Sequence, residues 1–243
     1  MDAIFVTARL KSTRLPKKVL LDIKGRPLIS YQIDRLRQNC DAKVIICTST
    51  NSQDDPLENF ATENGVSCYR GSEEDVLSRY LCCAQEFSVD RAYILYADEP
   101  FPDIALIKVT FDQLNKDEKV WVRNDHYPDG VFGYGLTYSA LKLINLMKSS
   151  KDNEVWGDMV SRMPINIIVN SPPYTSEKYA FRLTVDYPED LTVMERLIEV
   201  LGDRHRSVTI PELLNLYQNL SLYSVNGHRA ADYLQRLNDQ AVI

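Results

Sequence analysis

Ala3-Ile4-Phe5-Val6-Thr7-Ala8 passes without a break into Arg9-Leu10-Lys11-Ser12-Thr13-Arg14-Leu15-Pro16-Lys17-Lys18, and this junction decides the fold. The first six residues are a short apolar, β-rich run with no helical spacing, the pattern of a strand buried on both faces in a parallel sheet. The ten that follow carry five cations and no acid, in a chain whose formal net charge is −6. In open α/β sheets ligands bind beyond the carboxyl ends of the strands. A cationic loop at that position points to a polyanion, and above all to phosphate, which Arg grips as a fork and Lys as a point charge. The bland alternative is a solvated basic loop, and the place of the segment directly after a buried strand argues against it. The loop has neither Gly-x-x-x-x-Gly-Lys-Ser/Thr nor Gly-x-Gly-x-x-Gly, so a P-loop NTPase and a Rossmann dehydrogenase are both disfavoured.

Outward from this junction, Pro27 starts a helical pattern through Leu28, Ile29, Ile33 and Leu36, and Lys43-Val44-Ile45-Ile46-Cys47-Thr48 reads as a second buried strand, completing a βαβ unit. Asp54-Asp55-Pro56 opens a helix that Gly65 ends, Val66-Ser67-Cys68-Tyr69 is a third strand, and Ser72-x-x-Asp75 before Val76-Leu77 reads as a capping box. Tyr93-Ile94-Leu95-Tyr96-Ala97 is the fourth strand. The alternation predicts an α/β fold with a doubly wound, mostly parallel sheet and right-handed crossovers. Its site segments would be Arg9 to Lys18, Arg70 to Ser72 and Asp98 to Pro100. Over residues 119–180 the pattern loosens into short strands around Tyr127-Pro128-Asp129-Gly130 and Gly133-Tyr134-Gly135 and helical stretches near Leu141 to Met147 and Asp158 to Met163, as expected of an irregular lobe covering the sheet. Phe181-Arg182-Leu183-Thr184-Val185-Asp186 reads as a strand ending in an acid, and Pro188 to Leu201 as an amphipathic helix begun by proline. With no repeat, low-complexity stretch or linker, the expectation is one domain over residues 1–243 with the lobe inserted in it.

The composition, 243 residues with 44% hydrophobic and 26% charged, excludes a fibre or a disordered tail. Such a chain buries roughly three-quarters of its unfolded surface and needs no disulfide or metal to fold. Its acidic balance gives no case for nucleic acid or an anionic membrane as partner. No apolar run approaches the ~20 residues that span a bilayer, and Met1 to Val6 lacks the basic start of a secretory signal, so a cytoplasmic protein is expected. Cys40, Cys47, Cys68, Cys82 and Cys83 form no C-x-x-C and no zinc spacing, and read as buried thiols. His126, His205 and His228 read as surface residues, the second in a solvated basic turn, and Trp121 and Trp156 as packing residues.

Two acids, Asp98 and Asp186, close predicted strands and should point to the same edge as the basic loop. Carboxylates converging on a phosphate site are best explained by Mg²⁺, held through one or two carboxylates plus phosphate oxygens and water. The structural alternative is that each acid caps the helix after it.

At this point the residues carry a family likeness. Ala8 to Lys18 followed by Gly25-Arg26-Pro27-Leu28-Ile29 resembles the signature loop of the CMP-sugar synthetases, the cytidylyltransferases that include CMP-Kdo synthetase and acylneuraminate cytidylyltransferase. Thr48-Ser49-Thr50-Asn51 with Asp54-Asp55-Pro56, Arg70 to Tyr80, Tyr127 to Gly130 and Leu183 to Leu191 resemble the branch of spore coat polysaccharide biosynthesis protein F. The resemblance implies a nucleotide-diphospho-sugar transferase fold and a homodimer that uses CTP and Mg²⁺ to convert a sugar acid to its CMP derivative, releasing pyrophosphate. It further implies that Ala8, Arg9, Ser12, Arg14 and Lys18 hold the nucleotide phosphates, with Arg14 and Lys18 catalytic. Gly71, Ser72 and Asp98 would contact the nucleotide, Asp98 and Asp186 the metal, and Arg123, Tyr127 and Asp129 the sugar. The chain departs from the pattern at Lys17, where the family has glycine, and at Ala97, where relatives place glycine before the acid. It also lacks the acidic residue common after Tyr-Pro-Asp-Gly and a histidine near Val155. These departures leave open a different nucleotide, a sugar phosphate, or a homologue that binds nucleotide without turnover. A glycosyltransferase of related fold is disfavoured because the chain contains no Asp-x-Asp.

Overall fold

In the computed structural model, which describes residues 1–124, 127–149, 156–171 and 181–229, Ala3 to Thr7 are buried without interruption and make up the body of β1 (Asp2–Thr7). A 3₁₀ turn (Lys18–Leu20) ends the basic loop, and a hairpin of β2 (Asp22–Ile23) and β3 (Arg26–Pro27) leads into α1 (Leu28–Asn39). The predicted alternation then runs through β4 (Lys43–Ser49), α2 (Asp55–Glu63), β5 (Ser67–Gly71), α3 (Val76–Glu86) and β6 (Arg91–Tyr96). Beyond it come α4 (Ile104–Gln113), β7 (Val120–Asn124), β8 (Tyr134–Thr137), α5 (Tyr138–Met147), α6 (Gly157–Ser161), β9 (Asn166–Asn170), α7 (Pro188–Leu201) and α8 (Ile210–Asn219).

Seven strands form one sheet in the order β5-β4-β1-β6-β8-β7-β9. All neighbours are parallel except β8, which is antiparallel to both β6 and β7. The doubly wound, mostly parallel sheet expected from the alternation is therefore present. Side-chain alternation along β1 explains why it sits in the interior of the sheet. Ala3 and Phe5 join Ile45, Cys47 and Ile94 in a core covered by α3 and α5, while Ile4 and Val6 join Val44, Ile46 and Leu95 under α1 and α2. A strand apolar on both faces has no stable place at a solvated edge. A third cluster packs Phe101, Tyr127, Leu183 and Val185 against α7 and α8 beyond the sheet.

Four expectations need correction. The described residues between Val120 and Asn170 cover the sheet only in part: α5 and α6 pack on it, while β8, β7 and β9 extend it, with Trp121, Tyr134 and Trp156 buried or half-buried in the core beneath. Phe181 to Asp186 is not a strand of the sheet. Its backbone bonds are divided between two turns, Leu183 N–H donating to Asp129 O at 2.8 Å and Val185 N–H to Asp98 O at 3.0 Å, which leaves only an isolated bridge at Arg182. Ser72 does not cap α3: its hydroxyl accepts from Asp75 N–H at 3.0 Å, and Asp75 is the cap, accepting from Ser78 N–H at 3.0 Å. His205 is buried rather than solvated, edge-on to Tyr31 at 5.0 Å, and burial lowers its pKa. His126 and Val155 lie outside the described residues; His228 is exposed. Cys47 and Cys83 are buried, the other three cysteines are half-buried, and all five are free thiols.

Candidate active site

Loops leaving the carboxyl ends of β1, β4, β5 and β6 meet around the basic segment. Its entry is fixed by Asp54, a wholly buried carboxylate that accepts from Leu10 N–H at 2.7 Å and from Ser49 Oγ at 2.5 Å. Farther out, Arg9 donates to Glu73 O at 3.2 Å and Lys11 Nζ lies 3.4 Å from Glu73 Oε1, tying the loop to the turn after β5. Ser12 Oγ accepts from Leu15 N–H at 3.3 Å, and Ala8 extends the β1 ladder through its N–H to Cys47 O at 3.1 Å. Lys17 adopts φ +55°, the left-handed conformation that costs an L-residue about 1–2 kcal/mol. This is a conformation that glycine takes without cost.

That turn delivers Lys18 to the centre of the site. Its ammonium bonds to Asp98 Oδ2 and, at 2.7 Å, to Asp186 Oδ1, and Arg14 bonds to the same Asp186 oxygen. All three members of the Lys18 cluster are mostly buried. Burial alone would lower the Lys18 pKa, but the two carboxylates outweigh it and raise the pKa. Burial likewise opposes ionisation of Asp186, yet Lys18, Arg14 and Arg182 together hold its carboxyl far below the usual carboxylate range. Neither acid caps a helix. Asp103 caps α4 by accepting from Ala105 N–H at 3.0 Å, and the start of α7 is closed by Asp190, which accepts from Asp186 N–H and Tyr187 N–H, each at 3.0 Å.

The sequence reading did not single out the residue that organises this cluster. Arg182 is 1% exposed and binds three acids: Asp186 Oδ2 at 2.6 Å, Asp190 Oδ1 at 3.1 Å and Asp129 Oδ2 at 3.4 Å. Asn226 completes the set, donating to Asp190 at 2.9 Å and to Arg182 O at 3.1 Å. Asp129 is thereby joined to the Lys18 cluster through one guanidinium. Tyr127, by contrast, is a core residue, and Arg123 sits on β7 with its guanidinium 5.2 Å from the Trp121 ring. The turn at Gly71 and Ser72 is held by buried Arg79, which donates to Ser72 O at 2.8 Å and to Thr7 Oγ1 at 3.3 Å. Arg70 faces away, paired with Asp55 at 2.6 Å and Glu58 at 2.8 Å. The only signal for Arg182 and Arg79 in the sequence is a cation inside an otherwise apolar run.

Glu99 was also missed. It is buried beside Asp98, its Oε2 has no hydrogen-bond partner among the described residues, and burial, reinforced by Asp98 and Asp129, pushes its pKa well above the carboxylate range. Gln32 fixes the turn that carries it, donating to Tyr96 O at 2.8 Å and Glu99 O at 2.7 Å. Ala97 is buried with Ile4 and Leu95, so its methyl points into the core.

Asp98 and Asp186 each direct an oxygen to one point that already holds a cation, the Lys18 ammonium. Two carboxylates completed by phosphate oxygens and water are a donor set that suits Mg²⁺. No group of three His, Cys, Asp or Glu side chains able to hold a metal converges among the described residues, so the protein would contribute two ligands and the substrate the rest. The described grooves, at Asp2, Asp90 and Arg91 and at Arg37, Lys43 and Val66, open at the opposite, amino-terminal ends of the strands.

A cytidylyltransferase family profile matches residues 3–224, and the chain belongs to that family: it is a CTP-dependent nucleotidyltransferase. It is 29% identical over 229 residues to the spore coat polysaccharide biosynthesis protein SpsF of Bacillus subtilis, covering 88% of this chain and 93% of that protein. A 3-deoxy-manno-octulosonate cytidylyltransferase of Aeromonas salmonicida is 30% identical over 116 residues, 46% of this chain and 45% of the relative. Among solved structures, a cytidylyltransferase from Leptospira borgpetersenii superposes with a TM-score of 0.83 at 22% identity, over 93% of this chain and 97% of its own. A CMP:2-keto-3-deoxy-manno-octonic acid synthetase complexed with CTP superposes at 0.60 and 19% identity, over 82% and 98%. These structures share the nucleotide-sugar transferase fold. No described helix is long and apolar enough to cross a membrane.

Proposed function

We propose that this protein activates an acidic sugar of the Kdo or nonulosonate kind with CTP and Mg²⁺, giving a CMP-sugar and pyrophosphate for surface polysaccharide or lipopolysaccharide synthesis, and that it works in the cytoplasm as a homodimer. The observation that carries the reading is the meeting of Arg14 and Lys18 with Asp98 and Asp186 beyond the carboxyl ends of β1 and β6. The relationship to SpsF and to the Kdo cytidylyltransferases supports the sugar class.

In this reaction a sugar hydroxyl oxygen bonds to the α-phosphorus of CTP, the bond from that phosphorus to the bridging oxygen of the β-phosphate breaks, and the hydroxyl proton passes to solvent. Such a transfer needs charge neutralisation and in-line placement more than a special nucleophile. Arg14 and Lys18 would carry the first duty, offsetting charge on the phosphates, with Arg9 and Ser12 holding the loop around them. Gly71 and Ser72, supported by Arg79, would place the nucleotide. Arg182 holds Asp186 and the turn bearing Asp129, so nucleotide and acceptor would be placed together; Asp129 and Arg123 would contact the acceptor, with Tyr127 packed in the core behind them. Mg²⁺ on Asp98 and Asp186 would neutralise phosphate charge and acidify the attacking hydroxyl.

The test is a thermal-shift panel of CTP, UTP, GTP and ATP with Mg²⁺, followed by pyrophosphate release on sugar acids. A CTP-selective shift that vanishes in the Asp98→Ala, Asp186→Ala double variant, with turnover on a sugar acid, is expected. A stronger shift with another nucleotide, or CTP binding without turnover on any sugar acid, would overturn the reading.

A further inference from the structure

We infer that Lys18 has a second duty beyond phosphate contact: in the metal-free protein it is the internal counter-ion of Asp98 and Asp186, and it must leave them before metal can bind, which couples metal binding to nucleotide binding. The inference rests on the reading of Asp98 and Asp186 as metal ligands given above.

The argument is one of occupancy. The Lys18 ammonium bonds to Asp98 and to Asp186 Oδ1 at 2.7 Å, in the place any cation shared by those carboxylates would take. Asp186 cannot follow the lysine away, because its other oxygen is held by buried Arg182 at 2.6 Å. The two acids are also fixed relative to each other, since Val185 N–H donates to Asp98 O at 3.0 Å. The backbones that carry the two carboxylates are therefore tied together and Asp186 is anchored, and the flexible four-carbon stem of Lys18 is the part most able to move. Two cations between the same oxygens would repel each other strongly at this depth. Once displaced, the ammonium needs a new partner, and Arg14 already shares Asp186. A nucleotide phosphate is the anion that would receive it. Metal alone thus meets a competitor, whereas metal arriving with nucleotide gives both cations a partner, and by linkage each ligand raises the affinity of the other by the same factor.

Mn²⁺ is the probe, with free ion read by electron paramagnetic resonance in the unaltered protein, Lys18→Met and Lys18→Arg. Without nucleotide, Lys18→Met should bind Mn²⁺ at least about tenfold more tightly than the unaltered protein, the scale on which a close charge pair acts. Lys18→Arg, which keeps a cation, should not. CTP should tighten Mn²⁺ binding in the unaltered protein and do so far less in Lys18→Met. Nucleotide-free affinity in Lys18→Met no higher than in the unaltered protein would overturn the exchange. Absence of Mn²⁺ binding to the unaltered protein even with CTP would instead remove the metal reading beneath it. A second measurement needs no variant: saturating Mn²⁺ should raise acetylation of Lys18 by acetic anhydride severalfold, as judged by mass spectrometry, and unchanged labelling at saturation would also overturn it.

Discussion

Gly130→Ala should damage the protein far more than a one-carbon change suggests, and the reason lies in two separable costs. Gly130 has φ +90°, a conformation in which any L side chain is strained by about 1–2 kcal/mol. Its added Cβ would also stand 2.2 Å from Leu183 C, 2.3 Å from Leu183 O and 2.4 Å from Thr184 N. Carbon contacts settle near ~3.5 Å, so the turn must retreat by roughly 1 Å. That retreat opens the 2.8 Å bond from Leu183 N–H to Asp129 O, at about 1 kcal/mol, and draws Asp129 from Arg182. The expected loss is about 2–3 kcal/mol by these terms, before any weakening of the Asp129–Arg182 pair. Gly25→Ala is the internal control, because Gly25 has φ +83° with nothing within 4 Å of an added Cβ and should show only the strain. Urea unfolding of both variants at pH 7 measures the difference, expected to be at least about 1 kcal/mol. If Gly130→Ala costs no more than Gly25→Ala, the close approach of this turn to Leu183 is not what holds the Asp129 turn in place.

Arg182→Met would leave Asp186, Asp190 and Asp129 without their shared cation, and should cost about 3–5 kcal/mol in urea unfolding; a loss under about 1 kcal/mol would refute its role. Asp186 is held below its unfolded value, so its stabilisation is complete above about pH 4 and fades as pH falls. The stability gap between the unaltered protein and Asp186→Asn should therefore be flat from pH 5 to 8 and narrow below ~4; a gap that widens in acid contradicts this. Glu99 has the opposite sign. Its folded pKa is raised, so folding takes up a proton, and Glu99→Gln should gain on the unaltered protein by up to about 1.4 kcal/mol per pH unit as pH rises above the unfolded value near ~4.3. No gain between pH 5 and 7 would show that Glu99 is solvated.

The parallel half of the sheet was legible because its strands are apolar on both faces and bounded by turn residues. Lys43 to Thr48 was read one residue short of β4, and Pro188 to Leu201 coincides with α7, whose proline start is a local signal. Phe181 to Asp186 alternates as a strand would, and Phe181, Leu183 and Val185 are buried as alternation requires. Alternation reports burial, however, and not where the backbone bonds go; here they go to Asp129 and Asp98. The acids Asp98 and Asp186 were found because each follows an apolar run at the ligand edge. Asp54, Arg182 and Asp190 were not, because a buried polar residue looks like a surface one until its partner, 44 residues away for Leu10 with Asp54 and 53 for Arg182 with Asp129, is in place.

Lys18 and Asp186 lie 168 residues apart in sequence. At roughly 5–20 residues per second, a ribosome adds Asp186 some ten to thirty seconds after Lys18. By its start β1 has been made, β4, β5 and β6 follow early in it, and the edge of β6 stays open until β8 (Tyr134–Thr137) is added. For part of that time a growing chain thus holds half a sheet with an unfinished border and a basic loop lacking one of its carboxylates, so protection of that border during translation falls to chaperones or to the speed at which β8 arrives.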